Sequence, residues 1–117
     1  MQIAILVLNL IASFTSATWA VVALIRPASL SGSVHIEPGE IFYARMYAAR
    51  AVPLGLASGI LPFCLGGPAI AWVLFIAAAA QIADVAIAVG KQERGMIMGA
   101  SFATIVHIVC GLAIIVR

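Results

Sequence analysis

The sequence predicts an all-α protein, a single antiparallel four-helix bundle that crosses a membrane. Of its 117 residues, 65% are hydrophobic and 9% are charged, whereas soluble domains average about 45–50% apolar and about 25% charged residues. The mean hydropathy of +1.22 points the same way. A membrane-spanning helix needs about 20 apolar residues. Four runs in the chain reach that length, at residues 3–25, 41–63, 69–89 and 96–116.

The first run predicts a retained transmembrane helix at about residues 3–25. It lacks the basic start of a secretory signal, and its apolar stretch is longer than the roughly 7–15 residues of such signals. It ends at Arg26 and Pro27, where arginine favours the membrane interface and proline stops a helix. The serine- and glycine-rich segment that follows, residues 27–39, predicts a polar loop.

Three more helices are predicted at about residues 40–63, 69–89 and 95–116, within one membrane domain that covers residues 1–117. Backbone groups in lipid must bond internally, which favours helices here, because the alternation of a lipid-facing β-barrel is absent. The links at residues 66–68 and 90–95 are short, so consecutive helices should be antiparallel neighbours. Small residues at every fourth position favour close packing within the bundle, although contacts between subunits stay open. These rows are Ala51, Gly55 and Gly59 in the second helix, and Gly95, Gly99 and Ala103 in the fourth.

The distribution of positive charge predicts the orientation in the membrane. With four helices, both termini share one side with the turn at residues 66–68, and the two polar loops share the other. The loop side holds Arg26, Lys91 and Arg94, whereas the terminal side holds Arg117 and the amino group. The positive-inside rule therefore predicts an inner or plasma membrane protein with cytoplasmic polar loops and external termini.

Ionisable side chains within the apolar runs indicate a site, because a charge in hydrocarbon costs at least a few kcal/mol, about 2.5–3.5 on the insertion scale. Tyr47 and Arg50 follow Glu40 along one stripe of the second helix, within an arc of about 80°. Asp84, in the third helix, is about as far from the turn at residues 66–68 as Tyr47 is. Asp84 therefore lies less than one helical turn from the level of Arg50, so an ion pair between Arg50 and Asp84 is expected. His107 lies deeper, near the middle of the membrane. These considerations select four candidate catalytic residues: Arg50, Asp84, Tyr47 and His107.

Four further residues are candidates for ligand binding: Glu40, Tyr43, Arg45 and Gln81. Each also has a structural interpretation. Glu40 can mark a helix N-terminus, Arg45 can extend to the lipid head groups, and the tyrosines can belong to an interfacial belt. His107 can be a packed, hydrogen-bonded residue, and the Arg50–Asp84 pair can be a purely structural clamp. Asn9, in the first helix, is expected near the terminal side and away from the charges.

Other chemistries find no support in the sequence. Cys64 and Cys110 form no zinc or iron–sulfur spacing, and no second histidine lies in a neighbouring helix for a bis-histidine haem. There is no phosphate-binding glycine loop and no HExxH motif. The net charge of +2 is too small to indicate a nucleic-acid partner. No metal and no cofactor are therefore expected.

The stretch from Tyr43 to Gly55, together with Gln81-Ile82-Ala83-Asp84 and His107, resembles a family of small bacterial and fungal four-helix membrane proteins of unassigned function. The DoxX-like four-helix proteins are a more distant comparison. The resemblance covers most of the chain from Arg26 onward and implies the same fold, but no reaction. It carries over onto Arg50, Leu54, Gly55, Asp84 and His107. The small multidrug-resistance transporters are similar in size, but they place an essential glutamate in the first helix, where this chain has none.

The leading functional hypothesis is a polar intramembrane pocket, open toward the loops, that binds a small lipophilic or anionic molecule. Arg50 would anchor an oxygen of the ligand, Asp84 would hold Arg50 or act as acid/base, and Tyr47 and His107 would relay protons. Isomerisation, cyclisation or epoxide opening of a hydrophobic substrate are the reaction classes that need no cofactor. The alternatives are a structural or accessory subunit of a larger membrane complex and a small proton-coupled transporter. The expected partners are the bilayer, a lipophilic ligand, and either a second copy or a larger membrane assembly.

Overall fold

The computed structural model describes residues 2–116, and this part of the chain is helical almost throughout and contains no strand. The predicted all-α four-helix bundle is confirmed. By length and composition, all four long helices can cross a membrane, as expected of a multi-pass membrane protein. The helices are α1 (Gln2–Ile25), α2 (Ala28–Ser31), α3 (Pro38–Cys64), α4 (Pro68–Lys91) and α5 (Arg94–Ile115).

The segment after α1 is not wholly the polar loop that the sequence predicts, because α2 forms one helical turn within it. Pro27 has a helical backbone with φ of −55°, which suits the start of a helix. Gly32 ends the turn in the left-handed conformation, with φ of 69°, and its N–H donates to the Ala28 carbonyl. A glycine adopts that conformation at little steric cost, so this pair of residues bounds the short helix.

α3 begins at Pro38, two residues before the predicted start at 40, and Glu40 helps to fix its first turn. Glu40 Oε2 accepts a hydrogen bond from the Glu37 N–H at 2.7 Å, and Glu40 Oε1 accepts one from the Ser33 hydroxyl. The first N–H groups of a helix lack intrahelical partners, and an acidic side chain there satisfies one of them. The structural interpretation of Glu40, a carboxylate at a helix N-terminus, therefore agrees with its contacts.

The four long helices form two close pairs. α1 packs mainly along α3, and α4 packs mainly along α5, with a further contact between α1 and α5. α3 and α4 touch only weakly, although the turn between them is short. α3 and α4 are neighbours, as predicted, but their contact is the weakest among the consecutive long helices. The contact between α3 and α4 is weak because the small residues of α3 face α1. The backbone of α3 therefore approaches that of α1 closely, and not that of α4.

The two rows of small residues behave differently. A Cβ added to Gly55 would lie 2.9 Å from the Ser13 carbonyl oxygen and 3.0 Å from Ala17 Cβ, and one added to Gly59 would lie 3.1 Å from Ser13 Cβ. The predicted close packing is confirmed for this row. At Gly95 and Gly99, by contrast, an added Cβ would have nothing within 4 Å. The prediction of close packing is wrong for these two glycines, which border open space.

This difference gives a first test, with alanine placed at Gly55 and at Gly99. Gly55→Ala forces the α1 and α3 backbones apart and is expected to cost about 1–3 kcal/mol. Gly99→Ala meets no atom and improves helix propensity, so it should be neutral or stabilising by about 0.5–1 kcal/mol. Reversible unfolding in mixed detergent micelles measures both. Equal effects at the two glycines would contradict the packing described here.

Candidate functional site

A cavity lies between α1 and α5 in the half of the bundle nearer the loops, and we call it the cleft. Its volume is about 520 Å³. Ile11 and Trp19 from α1 and Gly99 and Phe102 from α5 form its walls, and Leu30 from α2 borders its mouth. The absence of side chains at Gly95 and Gly99 widens the space between the two helices. The glycine row of α5 thus shapes a cavity and does not form a helix contact.

Polar side chains from three helices gather at the inner end of the cleft. They are Ser16 from α1, Tyr47 from α3, and Gln81 and Asp84 from α4. Gln81 Nε2 donates a hydrogen bond to Ser16 Oγ at 3.2 Å. The hydroxyl of Tyr47 makes no hydrogen bond to any residue that the structure describes. Thr15, Ser29 and Glu93 also line the cleft. The lining is therefore mainly apolar, with one cluster of polar side chains at the inner end and further polar groups toward the loops.

The predicted ion pair between Arg50 and Asp84 is confirmed. Arg50 Nη2 donates to Asp84 Oδ1 at 2.8 Å, and the Arg50 guanidinium also lies over the Tyr47 ring, with Cζ 5.9 Å from the ring centroid. The side chain of Asp84 is 9% exposed, whereas that of Arg50 is 49% exposed. Asp84 lines the cleft, but Arg50 does not. Arg50 approaches the carboxylate from outside the cleft, at the weakly packed seam between α3 and α4.

A second, smaller cavity of about 20 Å³ is also lined by Asp84. Arg50, Ser58, Gln81 and His107 contribute to its lining, together with residues of α1. Asp84 and Gln81 line both cavities. The smaller cavity therefore lies between residues of the inner end of the cleft and the buried histidine.

His107 is held by a residue that the sequence reasoning leaves out of the site. Asn9 is 0% exposed and His107 is 1% exposed, and Asn9 Oδ1 lies 2.8 Å from His107 Nδ1. Asn9 Nδ2 also donates to the Ser58 carbonyl oxygen at 2.7 Å. The sequence places Asn9 apart from the ionisable residues, but the structure joins it to His107. One amide thus connects α1, α3 and α5.

Pro62 explains why Asn9 is needed. In an α-helix the Ser58 carbonyl would accept the N–H of residue 62, but proline has no N–H to donate. The Ser58 carbonyl is thereby released inside the bundle, where a buried acceptor requires another partner. Asn9 supplies that partner. A proline four residues after a buried position, with an amide in another helix, is the sequence signal that could have identified this contact.

Three predicted ligand-binding residues line neither cavity. Glu40 is engaged at the start of α3, as described above. Tyr43 is 70% exposed and packs edge-on against the Phe42 ring, with centroids 5.9 Å apart. Arg45 is exposed on the same helix. Of the ligand-binding candidates only Gln81 lies at the cleft, and the roles of the other three stay predictions.

Comparison with known protein families, with curated protein sequences and with solved structures finds no match to this chain. The resemblance to the small four-helix membrane proteins of unassigned function therefore stays a prediction. The same holds for the residues that the resemblance carries over, from Arg50 to His107.

Proposed function

We propose that the cleft binds a small, mainly apolar molecule whose hydrogen-bonding head group lies against Tyr47, Gln81 and Asp84. The observation that carries the proposal is the cleft itself, which is mainly apolar and has a cluster of polar groups from three helices at its inner end. Ligand pockets in proteins have volumes of about 300–1,000 Å³ and are mostly apolar, with a few placed polar groups. The volume of about 520 Å³ falls within that range.

The lining favours an uncharged or cationic head group over an anion. The charged residues in the lining identified among the described residues are both acidic, Asp84 and Glu93, and that lining includes no lysine or arginine. Arg50 engages one oxygen of the Asp84 carboxylate from the far side. A hydroxyl, amide or amine on the ligand can donate to Asp84, and the Tyr47 hydroxyl can donate or accept. Of the two predicted ligand classes, the cleft thus supports the lipophilic one.

The walls suggest that the ligand enters from the bilayer. Ile11, Trp19 and Phe102 line the cleft and are also exposed on the outer surface of α1 and α5. Leu30 also lines the cleft, on the loop side of the bundle, which the charge distribution predicts to be cytoplasmic. Asp84 and Tyr47 place a carboxyl group and a phenol at the same end of the cleft. Acid/base isomerisation, cyclisation or epoxide opening would use such a pair.

Mass spectrometry of small molecules extracted from the purified protein tests the proposal. Gly99→Leu places a side chain in the cleft, and Gly90→Leu places the same side chain at a position that lines neither cavity. An added Cβ meets nothing within 4 Å at either glycine, so both variants should fold. We expect one compound to copurify with the parent and with Gly90→Leu, and to be lost from Gly99→Leu.

Identical extracts from all three proteins, with bulk lipid only, would contradict the proposal. They would favour the second candidate function, a structural or accessory subunit. The observation that supports this candidate is the Arg50–Asp84 bridge, which joins two helices that otherwise touch weakly. In that case the ion pair is a clamp, and the cleft is a surface for a larger membrane partner.

A further inference from the structure

The contacts of Asn9 fix the position of the hydrogen on His107. The Ser58 carbonyl can only accept, so the Asn9 amide nitrogen must face it and Asn9 Oδ1 must face the histidine. Because an amide oxygen accepts, His107 Nδ1 must carry the hydrogen and donate it. In a neutral imidazole the other nitrogen, Nε2, then holds a lone pair. Pro62 in α3 thereby selects the tautomer of a histidine in α5.

The lone pair of Nε2 needs a donor. His107 is 1% exposed and its Nδ1 bonds to Asn9. No fully enclosed side-chain nitrogen or oxygen of the described residues lacks a partner, so Nε2 either has a donor or borders a space that can hold one. Leaving a buried polar atom without a partner costs about 1–3 kcal/mol. His107 lines the smaller cavity, whose other polar contributors include Ser13, Ser58 and Asp84. Any hydrogen-bond donor for Nε2 must therefore be accommodated in that cavity.

The size of the smaller cavity matches one water molecule. A cavity needs about 10–15 Å³ to hold one water molecule, which requires about two to four polar partners. The cavity measures about 20 Å³, which is enough for one water and too small for an organic ligand. The hydroxyls, the carboxylate and the imidazole that line it provide the required partners.

We propose that the smaller cavity holds one water molecule between His107 Nε2 and Asp84, and that His107 is a proton-accepting site reached from the cleft through Asp84. When Asp84 in its acid form gives its proton to the water, the water gives one of its own protons to Nε2. Asp84 becomes a carboxylate, His107 becomes an imidazolium, and the water is regenerated. The inference does not depend on the identity of any ligand in the cleft.

The groups around the cavity suit both ends of this transfer. Arg50 from α3 already donates to Asp84 Oδ1, so it stabilises the carboxylate that the transfer produces. Asn9 Oδ1 accepts from Nδ1–H both before and after Nε2 is protonated. The charged and titratable side chains that line the cavity are Arg50 from α3, Asp84 from α4 and His107 itself from α5, whereas α1 contributes Ser13 and Ser16. The carboxylate is thus the nearest counter-charge for an imidazolium at His107.

Nitrogen NMR of the protein in lipid nanodiscs tests the tautomer. The chain has two histidines, and His35→Gln removes the exposed one, leaving a single ring labelled with ¹⁵N. At neutral pH we expect Nδ1 to be protonated and Nε2 to show the far-downfield resonance of an unprotonated imidazole nitrogen. A hydrogen on Nε2 at neutral pH, in either the neutral or the charged ring, would overturn the proposal.

Two matched variants test the water. Ala80 lines the smaller cavity, whereas Ala83 on the same helix lines neither cavity and is exposed. Magnetisation transfer from water to the His107 ring should be present in the parent and in Ala83→Val, and lost in Ala80→Val. Undiminished transfer in Ala80→Val, or none in the parent, would overturn the water site. If Ala80→Val does not fold, Ala51→Val on α3, with Ala49→Val as its control, makes the same comparison.

The step through Asp84 has its own readout. Proton exchange between bulk water and the His107 ring should slow in Asp84→Asn, because an amide cannot pass on a proton as a carboxyl group does. Glu37→Gln serves as the control, because it makes the same change from carboxyl to amide at an exposed residue that lines neither cavity. Equal exchange in the parent and in Asp84→Asn would overturn the link between Asp84 and His107.

Discussion

Replacing Asn9 with leucine is expected to destabilise the bundle by about 2–4 kcal/mol, because two buried groups lose their partners at about 1–3 kcal/mol each. These groups are the Ser58 carbonyl and His107 Nδ1. Leucine is close to asparagine in size, so little of the effect should come from an empty space. Single hydrogen bonds between membrane helices average only about 0.6 kcal/mol, since a released group often finds another partner. The Ser58 carbonyl has no such alternative in its own helix, because Pro62 has no N–H.

A double-mutant cycle isolates this cause. Pro62→Ala restores an N–H four residues after Ser58, so the carbonyl regains a helical donor. In that background Asn9→Leu should cost less by about 1–2 kcal/mol, within the range measured for coupled residues. Ser58→Ala is the control, because it removes the hydroxyl bond to Ser13 but leaves the carbonyl in place. Strict additivity of Asn9→Leu and Pro62→Ala, measured by unfolding in mixed micelles, would refute the role given to Pro62.

Asp84→Leu is expected to cost less than the value of about 3–5 kcal/mol for removing one partner of a fully buried ion pair, because the Arg50 side chain is 49% exposed. It leaves the Arg50 guanidinium without its carboxylate, and arginine does not lose its charge in proteins. Arg50→Leu should cost less, since an unpaired carboxyl group can become neutral by taking up a proton. The same unfolding measurement ranks the two variants. The reverse order would contradict the assignment of the larger penalty to the orphaned guanidinium.

The double variant Arg50→Leu/Asp84→Leu tests whether the two charges stabilise the bundle as a pair or independently. Buried ion pairs replaced by apolar residues are often neutral or stabilising, so the double change should cost less than Asp84→Leu alone. Arg45→Leu is the matched control, because Arg45 is the other arginine of α3 and makes no ion pair with the described residues. It should have little effect. If the costs of the two single changes simply add in the double variant, the two charges do not act as a pair.

The elements that depend on local sequence could be predicted. The four spans follow from run length and composition, and the Arg50–Asp84 pair follows from counting residues on either side of one short turn. That argument works because each residue of a helix adds a fixed rise, so two positions equally far from a turn come to the same level. Gly55 and Gly59 could be recognised in the same way, as small residues on one face of α3.

The elements that depend on how distant helices meet could not be predicted. Asn9 and His107 belong to the first and last long helices, and their levels are not linked by any single turn. Their meeting depends on the packing of α1 against both α3 and α5. The glycine row of α5 follows the same four-residue pattern as that of α3, yet it borders the cleft. The spacing of small residues permits a close approach of two helix backbones, but it does not determine whether an adjacent helix packs against those residues.

The two close helix pairs also bear on how the chain enters the bilayer during synthesis. Asp84 follows Arg50 by 34 residues, so α1 and α3 reach the membrane ahead of α4, which carries the counter-ion of Arg50. α3 is also the least apolar of the four spans. The contacts that Gly55 and Gly59 of α3 make with α1, and the amide of Asn9 in α1, are available to α3 before α4 reaches the membrane. Contacts between α1 and α3 can therefore hold α3 in the bilayer before α4 arrives. Asp84 in α4 then neutralises the charge of Arg50 in α3.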